Sequence, residues 1–109
     1  MSYNKEIEIR IMKITSRWKN HTNKRMFGGV GHMIDGNMFT GVIRDFLILR
    51  LGTEGAEKAL KLKHVRPFDI TGRPMKGWVM VEQQGFRTEA GLRKWLEKAR
   101  NFAKTLPPK

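Results

Sequence analysis

The stretch Met26-Phe27-Gly28-Gly29-Val30-Gly31-His32-Met33-Ile34-Asp35-Gly36-Asn37-Met38-Phe39-Thr40-Gly41-Val42-Ile43-Arg44-Asp45-Phe46-Leu47-Ile48-Leu49-Arg50-Leu51 decides the fold. Its apolar runs are short and are bounded by turn residues, which is a strand pattern. Asp35-Gly36-Asn37 between two such runs signals a tight hairpin, because Asp-Gly readily takes the left-handed backbone that the turn needs. Strands are therefore predicted over Met26–Ile34, Met38–Arg44 and Phe46–Leu51, with Arg44-Asp45 as the second turn. The connections are too short for a crossover, so the three form an antiparallel meander.

The segment before the meander fits two periods. Ile7, Ile9 and Ile11 alternate with Glu6, Glu8 and Arg10, as in a strand; Ile7, Ile11, Ile14 and Trp18 follow helical spacing. The length of the run, free of Gly and Pro and opened by Asn4 as an N-cap, selects a helix over residues 4–18. After the meander, Gly52-Thr53-Glu54 opens a short helix whose inner stripe is Ala56, Ala59 and Leu60. Val65–Ile70 reads as a fourth strand, placed at an edge or a bulge by Pro67. A loop through Thr71–Pro74 leads to a fifth strand, Trp78–Gln83. The last helix is capped by Thr88 and stopped by Pro107, with Leu92, Trp95, Leu96, Ala99, Phe102, Ala103 and Leu106 as one buried stripe. The order is αβββαββα, an α+β domain with helices packed on an antiparallel five-stranded sheet.

One feature of the strands does not fit a sheet with helices on a single side. Leu47, Leu49 and Leu51 lie on one face of their strand, yet Phe46 and Ile48 make the other face apolar too. Trp78 and Met80 stand against Val79 and Val81 in the same way. A half-solvated sheet alternates apolar with polar. The second face is therefore expected to be covered, most economically by a second copy in a homodimer.

Composition bounds the function. The 109 residues suit one domain, 1–109. Hydrophobic residues at 39% and charged residues at 29% argue against disorder. No apolar run reaches the ~20 residues of a membrane-spanning helix. Met1–Glu6 carries acid early and has no apolar core, unlike a secretory signal. The absence of cysteine excludes disulfides, thiolate metal sites and Cys nucleophiles, and suits the cytoplasm, the expected location. Twenty-two Lys and Arg against ten acids give a net charge of +12, a field that attracts polyanions.

Catalytic patterns are weak. Gly29-Val30-Gly31 lacks the third glycine and the following helix of a dinucleotide loop, so glycine thinning a strand is the better reading. His21, His32 and His64 have no partner at metal-ligand spacing and read as surface or turn residues. Ser2 and Ser16 sit in no nucleophile elbow, and Asp35 and Asp45 are turn residues. No enzyme activity, metal or cofactor is expected. The basic residues group as Lys24-Arg25, as Lys58, Lys61, Lys63 and Arg66 around the second helix, and as Arg73 with Lys76. Lys24, Arg25, Arg73 and Lys76 are the candidate contacts to a partner or to nucleic acid, with Phe27, Trp78 and Phe86 as aromatics able to stack on bases. No helix–turn–helix, RNP or zinc-finger pattern accompanies them, so any nucleic-acid binding is expected to be weak and non-specific.

Lys24-Arg25-Met26-Phe27-Gly28-Gly29-Val30-Gly31 followed by Asp35-Gly36-Asn37-Met38-Phe39 resembles the opening of the TfoX/Sxy N-terminal domain. Thr71-Gly72-Arg73-Pro74-Met75-Lys76-Gly77-Trp78-Val79 is similar to a second segment of that family. Leu92-Arg93-Lys94-Trp95 and Phe102-Ala103-Lys104-Thr105-Leu106-Pro107-Pro108-Lys109 resemble its last helix and end. The resemblance implies an αβββαββα two-layer domain, settles the first segment as helix, and implies no active site. The family's best-known members regulate DNA-uptake competence and act with the cyclic-AMP receptor protein at bacterial promoters. By that resemblance the chain is a regulatory module whose partner is a protein of the transcription machinery.

Overall fold

The computed structural model describes residues 3–26, 28–69 and 72–109. Helix α1 covers Lys5–Thr15, shorter than the predicted 4–18, and the Asn4 side chain caps it by accepting from the Glu6 N–H at 2.9 Å. Ile7, Ile11 and Ile14 are buried while Ile9 is 56% exposed. That pattern is helical; a strand would have put Ile7, Ile9 and Ile11 on one face.

Among the described residues the sheet has six strands, not five, and their pairings are antiparallel. The additional strand, β1, is His21–Met26, whose central residues Thr22, Asn23, Lys24 and Arg25 are exposed. The predicted strand Met26–Ile34 is thus two elements: Met26 ends β1, β2 is Gly29–Ile34, and Met26 pairs with Gly29 across the hairpin. Strand β3 is Asn37–Ile43 and β4 is Phe46–Arg50. At the β2–β3 turn, Asp35 and Gly36 both have positive φ, 54° and 83°, as an Asp-Gly hairpin of the mirror-image type requires.

Helix α2, Gly52–Ala59, leads to the short strand β5, Val65–Pro67. Strand β6 is Trp78–Val81, and a single 3-10 turn, Gln83–Phe86, occupies the end of the predicted fifth strand. Helix α3, Glu89–Ala103, closes the fold, with the Thr88 hydroxyl accepting from the Gly91 N–H at 3.0 Å. The strand order is β1-β2-β3-β4-β6-β5. Strand β6 inserts between β4 and β5, so Pro67 does sit on an edge strand. Phe68 and Asp69 fall outside β5, and Ile70 and Thr71 lie outside the described residues.

Strand partners share a face, and residues alternate between faces. The inner face carries Val30, Val42, Leu47, Leu49, Val79 and Val81, packed in one cluster with α1, α2 and α3. A bulge lets two residues of β3, Phe39 and Thr40, span one step of β2, and Phe39 enters the core fully buried. Leu92, Leu96, Ala99 and Ala103 of α3 are buried as predicted, but Trp95, Phe102 and Leu106 are half-buried at the rim of the stripe. Trp95 uses that position to donate its indole N–H to the Gly85 carbonyl at 2.9 Å. Phe102 packs against Gly52, whose φ of +80° and 2.5 Å clearance to the Phe102 ring leave no room for a Cβ. Leu60, expected inside, is 39% exposed because α2 ends before it.

Candidate interaction surface

The outer face of the sheet can be built residue by residue from the register. One row crosses all six strands: Lys24 on β1, Gly31 on β2, Gly41 on β3, Ile48 on β4, Met80 on β6 and Arg66 on β5. Its centre is apolar and its ends are cationic. Ile48 at 0% and Met80 at 5% exposure are buried, yet neither belongs to the core cluster that joins the helices. Met26, Met33, Met38, Ile43, Phe46 and Trp78 share this face and are half-buried.

The two glycines of the row form a trough. A Cβ at Gly31 would stand 3.2 Å from the Met38 sulfur and methyl and 3.3 Å from the Met26 methyl; at Gly41 it would meet the Val30 carbonyl oxygen at 2.6 Å and the Met38 methyl at 3.0 Å. The Met26 and Met38 thioethers therefore lie where those side chains would be. Arg50 sits over the Trp78 ring at 5.3 Å, and Arg66 over the Phe46 ring at 5.7 Å while pairing with Glu82 at 3.2 Å.

The basic residues singled out from the sequence occupy two places. Lys24 and Arg25 are exposed on edge strand β1, Lys24 in the outer row and Arg25, the partner of Val30, on the opposite face. Arg73 and Lys76 are exposed in the connection between β5 and β6, at the other edge of the sheet. Five strand spacings, about 24 Å, separate the edges. Of the aromatics considered for stacking, Phe86 is buried, Trp78 is half-buried beside Arg50, and Phe27 lies outside the described residues.

The histidines depart from expectation. His32 is fully buried, and its Nδ1 is 2.8 Å from Nε2 of His21, with the two rings nearly parallel. β1 and β2 bring them together: His21 follows the turn after α1, and His32 lies on the inner face of the next strand. Glu8 of α1 places Oε2 3.5 Å from His32 Nε2, which has no hydrogen-bond partner among the described residues. A proton on His32 Nε2 faces that carboxylate and leaves Nδ1 to accept from His21 Nε2–H. Burial pushes His32 down to about 4, with the neighbouring His21 ring adding to the effect, and burial lowers His21 as well. The hydroxyl nearest the pair, Thr15 Oγ1 at 3.4 Å from His21, is itself fully buried, so the group ties α1 to the sheet and offers no nucleophile to a substrate. His64, at φ +71°, is a turn residue as expected and contacts Glu82 at 3.3 Å. Among the described residues no three His, Cys, Asp or Glu side chains converge as a metal site.

A cleft of about 610 Å³ lies where α1, β4 and the 3-10 turn meet, lined by Arg10, Asp45, Glu82, Gln83, Gln84 and Arg87, with Phe46 at its edge. One of its two arginines is committed to the fold. Arg10 donates to the Phe86 carbonyl at 2.7 Å and the Arg87 carbonyl at 3.1 Å, and lies over the Phe86 ring. Sequence reading found the apolar second face of Phe46, Ile48, Trp78 and Met80 but missed the histidine pair and the cationic ends of the outer row, because these depend on strand neighbours separated by a hairpin or by a whole helix.

No helix among the described residues is long and apolar enough to cross a membrane. No curated protein and no solved structure matches the chain. Residues 13–103 match the family model of the TfoX N-terminal domain, from the end of α1 to the end of α3, and the chain belongs to that family.

Proposed function

We propose that this domain is a regulatory module that acts by contact with a protein, in the manner of the N-terminal domains of competence regulators, and not by catalysis. The family is one of regulatory and interaction domains and is not a known enzyme family. The observation that carries the reading is the outer face of the sheet, whose apolar centre, Ile48 and Met80, stands apart from the helix-packed core. Around that buried centre the half-buried Met26, Met33, Met38, Ile43, Phe46 and Trp78 leave apolar surface in reach of solvent, which on a basic domain favours a partner that covers it.

The test is capture of partners by the tagged chain from native lysate, with and without nuclease, in 200 mM salt. A defined protein retained after nuclease treatment supports the reading; complete loss on nuclease treatment replaces it with nucleic-acid binding.

That second reading is favoured by the net charge of +12 and by the exposure of Lys24, Arg25, Arg73 and Lys76. Binding of that kind is expected to be sequence-independent. With four to six phosphates contacted, at a slope of about −0.9 per phosphate, affinity for duplex DNA falls roughly a hundredfold or more between 50 and 200 mM salt. A footprint on one defined sequence that survives 200 mM salt would put DNA recognition first.

A further inference from the structure

We propose that the outer face of the sheet is the docking surface for an acidic amphipathic helix of a partner protein. This inference rests on the reading of the domain as a protein-contact module and adds the chemistry of the partner.

Charge selects the occupant. Half-buried Met33, Met38, Ile43 and Phe46, around a buried centre of Ile48 and Met80, are bordered by Lys24 at one edge of the sheet and by Arg66 at the other. Glu82 neutralises part of Arg66, while Lys24 is exposed and makes no ion pair among the described residues. A helix with an apolar stripe flanked by carboxylates complements this arrangement on both sides of the stripe. A second copy of the chain does not: it brings a net charge of +12 against +12 and cationic edges against cationic edges. Nucleic acid matches the edges but not the middle. Single-stranded bases are held on a sheet by open aromatic rings, whereas the central positions here are glycine, isoleucine and methionine. Trp78 and Phe46 on this face each already carry a guanidinium, and the Phe68 ring packs against Trp78.

Shape agrees with charge. Over Gly31 the space is taken by the thioethers of Met38 and Met26 alone, while at Gly41 the Val30 carbonyl bounds it beside the Met38 methyl. Unbranched methionine side chains change rotamer at little cost and mould to an incoming apolar surface. Their withdrawal would open a shallow groove over backbone, where the ridge of a helix can seat.

The experiment uses the full chain labelled with ¹³C at the methionine ε-methyls. The probe is a synthetic helix of about five turns, ~18 residues, with Leu at i, i+3, i+4 and i+7 and Glu on its flanks. The control is the same composition scrambled so that the leucines share no face. The helix is expected to shift the methyls of Met26, Met33, Met38 and Met80 and leave Met12 of α1 unmoved. Lys24→Glu, at an exposed position, is expected to weaken the helix at least threefold without changing the melting temperature. Equal binding by the scrambled peptide, or shifts spread to Met12, would overturn the proposal. So would two other outcomes: the same methyls moving with protein concentration alone as the chain sediments as a dimer, or the same methyls moving with a DNA duplex. If the helix fails while a nuclease-resistant partner is still captured, only this inference falls; if capture is nuclease-sensitive, the protein-contact reading itself falls.

Discussion

The two faces of one sheet are built from different materials. The centre of the inner face is valine and leucine, buried against three helices. The outer face has methionine around a pair of glycines, with isoleucine and one more methionine at its centre. Branched side chains with few rotamers specify a single packing; methionine and glycine leave the surface adaptable. The chain therefore concentrates its stability on one side of each strand and leaves the other side open to adjustment.

The contrast is sharpest in stability. Leu49→Ala on β4 or Leu96→Ala on α3, both fully buried in the core, is expected to cost about 2–5 kcal/mol. Met33→Ala, half-buried on the outer face, is expected to cost under about 1 kcal/mol, since little packed volume is lost. Urea unfolding of the three variants checks this, and equal losses would show that both faces are packed alike.

The second difference is in pH dependence, because the buried histidines lie on the inner face. His32 titrates at about 4 in the fold against 6.5 when free, so the unfolded chain binds the proton first. The associated stability is present in full above pH ~6.5 and is lost as pH falls toward 4, by about 3 kcal/mol in total. Burial is the larger cause and the neighbouring His21 ring the smaller. His32→Asn should flatten the stability profile between pH 6.5 and 4; an unchanged profile would assign the acid sensitivity elsewhere.

The third and smallest difference lies within the outer face. Gly41→Ala drives a Cβ to 2.6 Å from the Val30 carbonyl, a backbone atom that cannot swing aside, and is expected to cost about 1–3 kcal/mol. Gly31→Ala meets only methionine ends at 3.2–3.3 Å and is expected to stay within about 0.5 kcal/mol. Thermal melts of the pair test whether the methionines yield as the docking proposal requires.

Much of this architecture was legible in the sequence. Asp35-Gly36 marked its hairpin because only certain residues take positive φ there, and the stripe on α3 marked its helix because burial follows the helical period. Strand β1 was not legible. His-Thr-Asn-Lys-Arg-Met has no apolar alternation, since an edge strand is held through its backbone to β2 and leaves its central side chains in water. The apolar second face of β4 was visible as an anomaly, but the cationic ends of its row were not. Which strands flank β4 depends on β6 inserting ahead of β5, and no local pattern encodes that choice. The histidine pair was hidden for a related reason: His21 lies on the strand that the sequence concealed.

The way the sheet ends has a consequence for how other molecules can approach it. One margin, β1, bears lysine and arginine, and the other, β5, is three residues long and finishes in proline. Both are features that discourage an incoming chain from adding itself as a further strand. Growth of the sheet sideways into a polymer is thereby disfavoured, even though its flat side is apolar. Whatever associates with this domain is steered to come at it broadside.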